Sequence, residues 1–355
     1  MRIVFLGLSI TSSWGNGHAT NYRALVSALS ERGHDVLFLE RDRPWYAAQR
    51  DLPVPPWGRT ELYTSLDDLH ARFADDVEAA DVVVVGSYVP EGVAVGEWVV
   101  DRARGVTAFW DIDTPVTFAK LMSGDLEYLS PELVPLFDLY LSFTGGPLLR
   151  RIEDELGARC ARPFYCMADP ELYLPLDAPK RWALGYLGTY SADRQPTLDT
   201  LLREPAAELR EARFAVAGPQ YPPHVEWPSN VERVEHIPPS GHASFYATQG
   251  FTLNVTRDAM VRAGWSPSVR LFEAAACATP VISDWWDGLD AFFEPDIEIL
   301  VARSSDDVVQ HLTFTSPEKR REIGERARLR VLAEHTPARR AAQLEAHVDD
   351  LAAVA

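Results

Sequence analysis

A helix start can hold a phosphate and a carboxylate can grip a ribose, and residues 264–284 carry both parts. The run reads Gly-Trp-Ser-Pro-Ser-Val-Arg-Leu-Phe-Glu-Ala-Ala-Ala-Cys-Ala-Thr-Pro-Val-Ile-Ser-Asp. Ser266 and Pro267 suit the cap and first position of a helix whose small-residue apolar face runs from Val269 to Ala278. Thr279 and Pro280 stop it, and Val281-Ile282 then reads as a short buried strand ending at Ser283-Asp284. Unpaired backbone N–H groups at Ser268, Val269, Arg270 and Leu271, on the positive end of the helix, point into the loop and suit a phosphate. Glu273 lies two turns in, where a carboxylate accepts a bidentate pair of hydrogen bonds from the 2′- and 3′-hydroxyls of a ribose. The bland alternative is a capped core helix with one exposed Glu.

Acid–base candidates lie in the other half of the chain. Trp110-Asp111-Ile112-Asp113-Thr114-Pro115 ends a predicted strand, where ligands of open parallel sheets collect. Asp111 and Asp113 share a face if that strand continues. They read as a metal-binding pair, as a general base or acceptor-hydroxyl anchor, or, for Asp113 or Thr114, as the cap of a helix starting at Pro115. His18 reads as a proton acceptor, since its unperturbed pKa lies near neutrality, or as a polar helix cap. The loop from Gly7 to His18 lacks the closely spaced glycines of a dinucleotide fingerprint, because Gly15 and Gly17 come well after the strand. It reads as an acceptor-facing loop or a long surface loop. In the C-terminal half, Leu187-Gly-Thr-Tyr-Ser-Ala-Asp-Arg194 is a strand-to-helix turn containing Tyr190. His236-Ile237-Pro238 follows a strand end and could meet a base edge through its backbone.

The run Phe-Glu-Ala-Ala-Ala-Cys, a Thr-Pro and a short strand ending in Asp, all after a Ser-Pro-Ser turn, resembles the donor-nucleotide segment of GT-B glycosyltransferases. The similarity is to the group 1 transferases and, within them, the spore-maturation CgeB-like branch; Asp-Ile-Asp-Thr-Pro is similar to a CgeB-like segment as well. The larger group carries two glutamates with seven residues between them. Glu273 matches the second, the ribose ligand, whereas the first falls on Trp265. The resemblance implies two Rossmann-like domains facing across a cleft, with a nucleotide diphosphate sugar in the C-terminal half and an acceptor against the N-terminal half. It also implies transfer of a hexosyl group to a hydroxyl, with neither cofactor nor metal. A basic residue in the turn after the first C-terminal strand neutralises the departing diphosphate in that group, and Arg194 fits the position. Arg257 and Arg270 compete for the role or are ion-paired surface residues. The same resemblance moves Asp113 towards a functional role, beside His18. A sugar-nucleotide epimerase of the same fold and a non-catalytic nucleotide-sugar binder remain as alternatives.

The elements that must position these groups follow a βα rhythm. The chain has 355 residues, 46% hydrophobic and 24% charged, enough for two domains of a soluble α/β protein. Strands are predicted at residues 3–8, 35–40, 81–86, 106–110 and 138–143, and helices at 18–32, 66–73, 92–103 and 147–156. Residues 41–60 look irregular. Prolines at 163, 170, 175 and 179 mark a linker, after which strands at 181–187, 214–217, 231–235, 251–255 and 297–301 restart the rhythm. Domains are therefore expected at 1–168 and 169–335, with residues 336–355 a helix that the resemblance brings back onto the N-terminal domain. The formal net charge of −18 argues against nucleic-acid or anionic-membrane partners. Three cysteines without metal-like spacing point to reduced thiols in the cytosol, and no signal peptide or eighteen-residue apolar run is present.

Overall fold

A computed structural model describes residues 1–15 and 17–354 of the chain; Asn16, in the loop before His18, lies outside them. The described residues divide into two compact units, one within residues 1–165 together with 337–354, the other of residues 166–336.

In the first unit, strands β1 (Arg2–Gly7), β2 (Asp35–Arg41), β3 (Arg59–Tyr63), β4 (Val82–Gly86), β5 (Val106–Asp111), β6 (Leu139–Ser142) and β7 (Ala161–Pro163) form a parallel sheet in the order β3-β2-β1-β4-β5-β6-β7. Helices α1 (His18–Glu31), α2 (Pro44–Ala47), α3 (Leu66–Glu78), α4 (Gly92–Arg102), α5 (Thr114–Ser123) and α6 (Pro147–Leu156) belong to the same unit. Central strands covered on both faces need unbroken apolar runs, and Ile3–Leu6 and Val82–Val85 are buried throughout. Strand order reverses between β1 and β4, whose registers pair Ile3 with Val82 and Leu6 with Val85. Gly7 and Gly86 end these two strands, and Tyr22 of α1 lies in the space that their missing side chains leave. A Cβ on Gly86 would stand 1.9 Å from the Tyr22 hydroxyl oxygen.

The second unit holds β8 (Trp182–Leu187), β9 (Phe214–Ala217), β10 (Val231–Val234), β11 (Gln249–Asn254), β12 (Val281–Ser283) and β13 (Leu300–Val301), again all parallel, in the order β10-β9-β8-β11-β12-β13. Its helices are α7 (Gln195–Leu198), α8 (Glu204–Glu208), α9 (Pro239–Ala247), α10 (Asp258–Ala263), α11 (Val269–Ala276), α12 (Ser305–Phe314) and α13 (Pro317–Glu334). Leu184, Tyr186, Val216, Leu253 and Ile282 form the centre of its core.

The last helix, α14 (Pro337–Val354), belongs to the first unit, where it packs on α1. Glu345 receives the Arg32 guanidinium at 2.7 Å and lies 2.6 Å from the His34 ring. The Arg32 hydrogen bond, ahead of His34, pulls its carboxyl down to about 2.

Several expected boundaries move. α2 lies inside the stretch read as irregular and β3 begins at its end, and the strand expected at 297–301 shrinks to Leu300–Val301. β5 ends at Asp111, so Asp113 lies beyond the strand and no strand face is shared. α11 starts two residues later than its sequence signals: Ser268 is the N-cap, and Ser266 and Pro267 precede the helix.

Candidate functional site

In the second unit three arginines gather where α11 begins. Arg270, on the first turn of α11, is buried; its Nε donates to the Leu187 carbonyl and its Nη1 to Asn254 Oδ1 at 2.9 Å. The guanidinium lies over the Tyr186 ring, 4.7 Å from the centroid. Gly188 makes room for it, since a Cβ there would stand 2.7 Å from Nη2. Arg194 precedes α7 and donates from Nη2 to the Thr189 carbonyl at 2.7 Å, while its buried Nε has no partner. Burial, together with the charges of Arg270 and Arg257, pulls its pKa below the ordinary value. Among the described residues neither Arg194 nor Arg270 has an ion-pair partner, whereas Arg257 lies 3.6 Å from Asp193. Two guanidiniums without carboxylate partners, beside a third, suit an anion.

Ser268 and Val269 open the same helix. The Ser268 hydroxyl does not cap it but donates to Asn254 Oδ1 at 2.7 Å, so one amide oxygen holds both Ser268 and Arg270. Glu273, farther along α11, is only 5% exposed, which removes the reading of it as a surface Glu. Tyr173 donates to its Oε1 at 2.7 Å and Tyr246 to its Oε2 at 3.3 Å, with His242 Nδ1 3.9 Å away. Burial and the Glu273 charge push both phenols well above their ordinary pKa, so they stay donors. A carboxylate offers about four acceptor directions, and these two bonds fix its rotation without using them all. Trp265, at the place of the first group 1 glutamate, has a left-handed backbone (φ 44°), and its ring covers Gly288.

Tyr190 packs edge-on against Tyr221, with ring centroids 5.5 Å apart, and Tyr221 in turn against Trp227. The Arg233 guanidinium stands 4.1 Å from the Tyr221 centroid. His236 is exposed beyond β10, and the Ile237 carbonyl beside it lies 3.1 Å from the His242 ring nitrogen. Sequence reading did not single out Tyr173, Tyr221, Trp227, Arg233, His242 or Tyr246.

In the first unit, His18 and Asp113 come together around Tyr88. The Tyr88 hydroxyl donates to Asp113 Oδ2 at 2.8 Å, and the His18 ring lies 5.4 Å from the Tyr88 ring. Asp113 occupies the N-cap position of α5 but makes no side-chain cap bond, so capping does not explain its carboxylate. Burial lowers the His18 pKa to about 4 against the opposing charge of Asp113, leaving a neutral imidazole at pH 7. Asp111 has another role. It is fully buried, with Tyr140 on Oδ2 at 2.5 Å and Thr117 on Oδ1 at 2.7 Å, and burial raises its carboxyl to about 6. Among the described residues no cluster of three or more His, Cys, Asp or Glu could hold a metal ion.

The glycine loop after β1 carries its own anion. Buried Glu40, near the end of β2, accepts the Ile10 and Thr11 N–H groups at 2.8 and 3.0 Å and the Thr11 hydroxyl at 2.7 Å. Donors that would otherwise meet a phosphate are thereby taken up, which leaves the arginine cluster of the second unit as the better phosphate site.

Residues 194–346 match the family model described as "Glycosyl transferase-like", less than half of the chain. Sucrose-phosphate synthase from Thermosynechococcus elongatus superposes with a TM-score of 0.70 at 16% identity, covering 100% of both chains. Anabaena HepE, solved with UDP and glucose, gives 0.72 at 14% identity over 99% of this chain and 100% of its own. An Escherichia coli structure titled as trehalose-6-phosphate with UDP-2-fluoro glucose gives 0.67 at 12% identity over 99% of each chain. The fold is of the GT-B type. Within that GT-B fold, the matched family segment holds Arg194, Arg270 and Glu273. No curated protein matches the chain by sequence.

Proposed function

We propose that the chain is a glycosyltransferase that moves a hexosyl group from a nucleotide diphosphate sugar to a hydroxyl-bearing acceptor. The observation that carries this reading is the pair of arginines without carboxylate partners, Arg194 and Arg270, at the start of α11 with Glu273 farther along the same helix. In this reading the guanidiniums hold the diphosphate and stabilise its growing charge as the glycosidic bond breaks. Glu273, oriented by Tyr173 and Tyr246, takes the ribose hydroxyls, and the Tyr190–Tyr221 face lies along the base. Ser268 and Val269 supply the helix end, and His236 flanks the base. Asp113, with His18 beside it, receives the acceptor proton. No step passes through a metal ion, and the chain falls in the CgeB-like branch. Its three cysteines are free thiols, consistent with a reducing cytosol.

A thermal-shift panel of UDP, GDP, dTDP and ADP and their sugars tests the reading, because a ligand that binds only the folded state raises the midpoint. UDP-glucose heads the panel, since HepE was also solved with it. The ligand that stabilises should then be hydrolysed slowly or transferred. Binding without any turnover marks a nucleotide-sugar binder, and exchange at sugar C2 without an acceptor marks an epimerase.

A further inference from the structure

Two sets of hydroxyl contacts serve the buried Asp111 and Asp113. Thr117 donates to Asp111 Oδ1 and, its one hydrogen used there, receives the Tyr128 hydroxyl at 2.7 Å. The Tyr88 ring packs against that of Tyr128, and the Tyr88 hydroxyl donates its one hydrogen to Asp113 Oδ2. The Asp113 N–H donates to Asp111 Oδ1 at 3.1 Å. Tyr88 stands in the left-handed region, φ 64°, just after the end of β4. For a bulky residue that conformation is strained and persists where its surroundings over-determine it. Here the ring is fixed by Tyr128 at 4.6 Å, His18 at 5.4 Å and the Lys120 ammonium at 5.8 Å. Burial, then the charge of Asp113, raises the Tyr88 pKa, so the phenol remains a donor.

We propose that Tyr88 is a positioning residue for the acceptor side of the reaction: held at positive φ and braced by the Tyr128 ring, it fixes the rotation of the Asp113 carboxylate. The inference rests on the proposed transferase reading for its kinetic test and on geometry alone for its spectroscopic one. Among the described residues, charged or titratable groups near Asp113 or its Tyr88 and Asp111 partners include His18 from α1, Lys120 from α5, Tyr128 after α5 and Tyr140 from β6.

Tyr88→Phe removes the hydroxyl and keeps the ring. Expected are a fall in kcat of about tenfold or more, an unchanged donor Kd, and an acid limb of the pH–rate profile moved to higher pH, because a bond to the charged carboxylate is lost. Independently of turnover, the ¹³C titration of the Asp113 carboxyl should shift to higher pH in Tyr88→Phe than in wild type. An unshifted carboxyl titration in a folded Tyr88→Phe overturns the proposal, as does an unchanged acid limb with wild-type kcat. Failure of wild type to turn over any donor overturns the transferase reading instead, and the carboxyl titration still decides the role of Tyr88.

Discussion

Arg270 and Ser268 share one acceptor, the side-chain oxygen of Asn254, at 2.9 and 2.7 Å. Asn254 is the last residue of β11, so the strand sets both the guanidinium and the residue that starts α11. An anion bound there meets a pre-oriented cation rather than a flexible one.

Replacing Arg194 by Ala therefore discriminates between parts of the ligand. Arg194 contributes a half-buried guanidinium without a carboxylate partner, so calorimetry should show nucleoside diphosphates weakened by about 10- to 100-fold, as expected for a lost charge-assisted contact. Affinity for the nucleoside should stay nearly constant. Equal loss for both would place Arg194 outside the phosphate site.

Glu273→Gln keeps the shape of the side chain and loses its charge. If the carboxylate holds the ribose, affinity for the best nucleotide should fall by about 1.5–3 kcal/mol. Its 2′,3′-dideoxy analogue should bind wild type and variant alike. Calorimetry that finds the parent nucleotide unaffected in a folded variant removes Glu273 from the site.

Continuous apolar runs made the parallel strands legible, and the alternation of β1, β4, β5 and β6 with helices is carried by residues such as Val82–Val85. β3 was not legible because Arg-Thr-Glu-Leu-Tyr is an edge strand, half-buried except at Tyr63, and follows a proline-rich stretch. At the candidate site, the residues that belong to motifs were visible: Glu273, Arg194, Asp113 and His18. Their partners were not. Tyr88 meets Asp113 across 25 positions and Tyr173 meets Glu273 across 100, and a tyrosine with no local periodicity gives no sign of where its hydroxyl will go. A clue to Tyr88 did exist in its place just beyond the Val-rich β4, at the strand end where ligands collect.

Ala278 ends α11 in the left-handed conformation, φ 54°, where the Ala278 and Thr279 N–H groups return to Ala275 and Ala274. A Cβ in that region costs roughly 1–2 kcal/mol, and glycine returns part of this as lost unfolded-state entropy. Ala278→Gly should stabilise the protein by about 0.5–1 kcal/mol in urea denaturation. A lower denaturation midpoint would mean that contacts of the Ala278 methyl outweigh the backbone gain.

His18 gives stability a pH dependence of known sign. Its folded pKa of about 4 lies below the ordinary 6.5, so between these values the unfolded chain binds a proton that the folded one does not. Its contribution is complete above pH 6.5 and is lost as pH falls through 4. Asp111 and Asp284, both raised to about 6 by burial, act in the opposite sense and remain in every variant compared. Relative to wild type, His18→Gln should gain about 1–2 kcal/mol between pH 7.5 and pH 5. Parallel denaturation midpoints for the two proteins across that range would show that His18 titrates normally.

The proton acceptor is the sharpest choice left by the two candidates around Tyr88. A neutral imidazole with a pKa near 4 is a weak base at pH 7, whereas the Asp113 carboxylate is held in place by the Tyr88 hydroxyl. If the reaction inverts the anomeric centre, a base must take the acceptor proton on the side opposite the leaving diphosphate. Asp113→Asn should then keep donor affinity and lower kcat by about 100-fold or more. Normal turnover in Asp113→Asn with an inactive His18→Ala would reverse the roles. If both variants keep wild-type turnover, no side chain of this pair is the base. Retention, with the departing phosphate taking the proton, then becomes the expected course, which the anomeric configuration of the product read by NMR would establish directly.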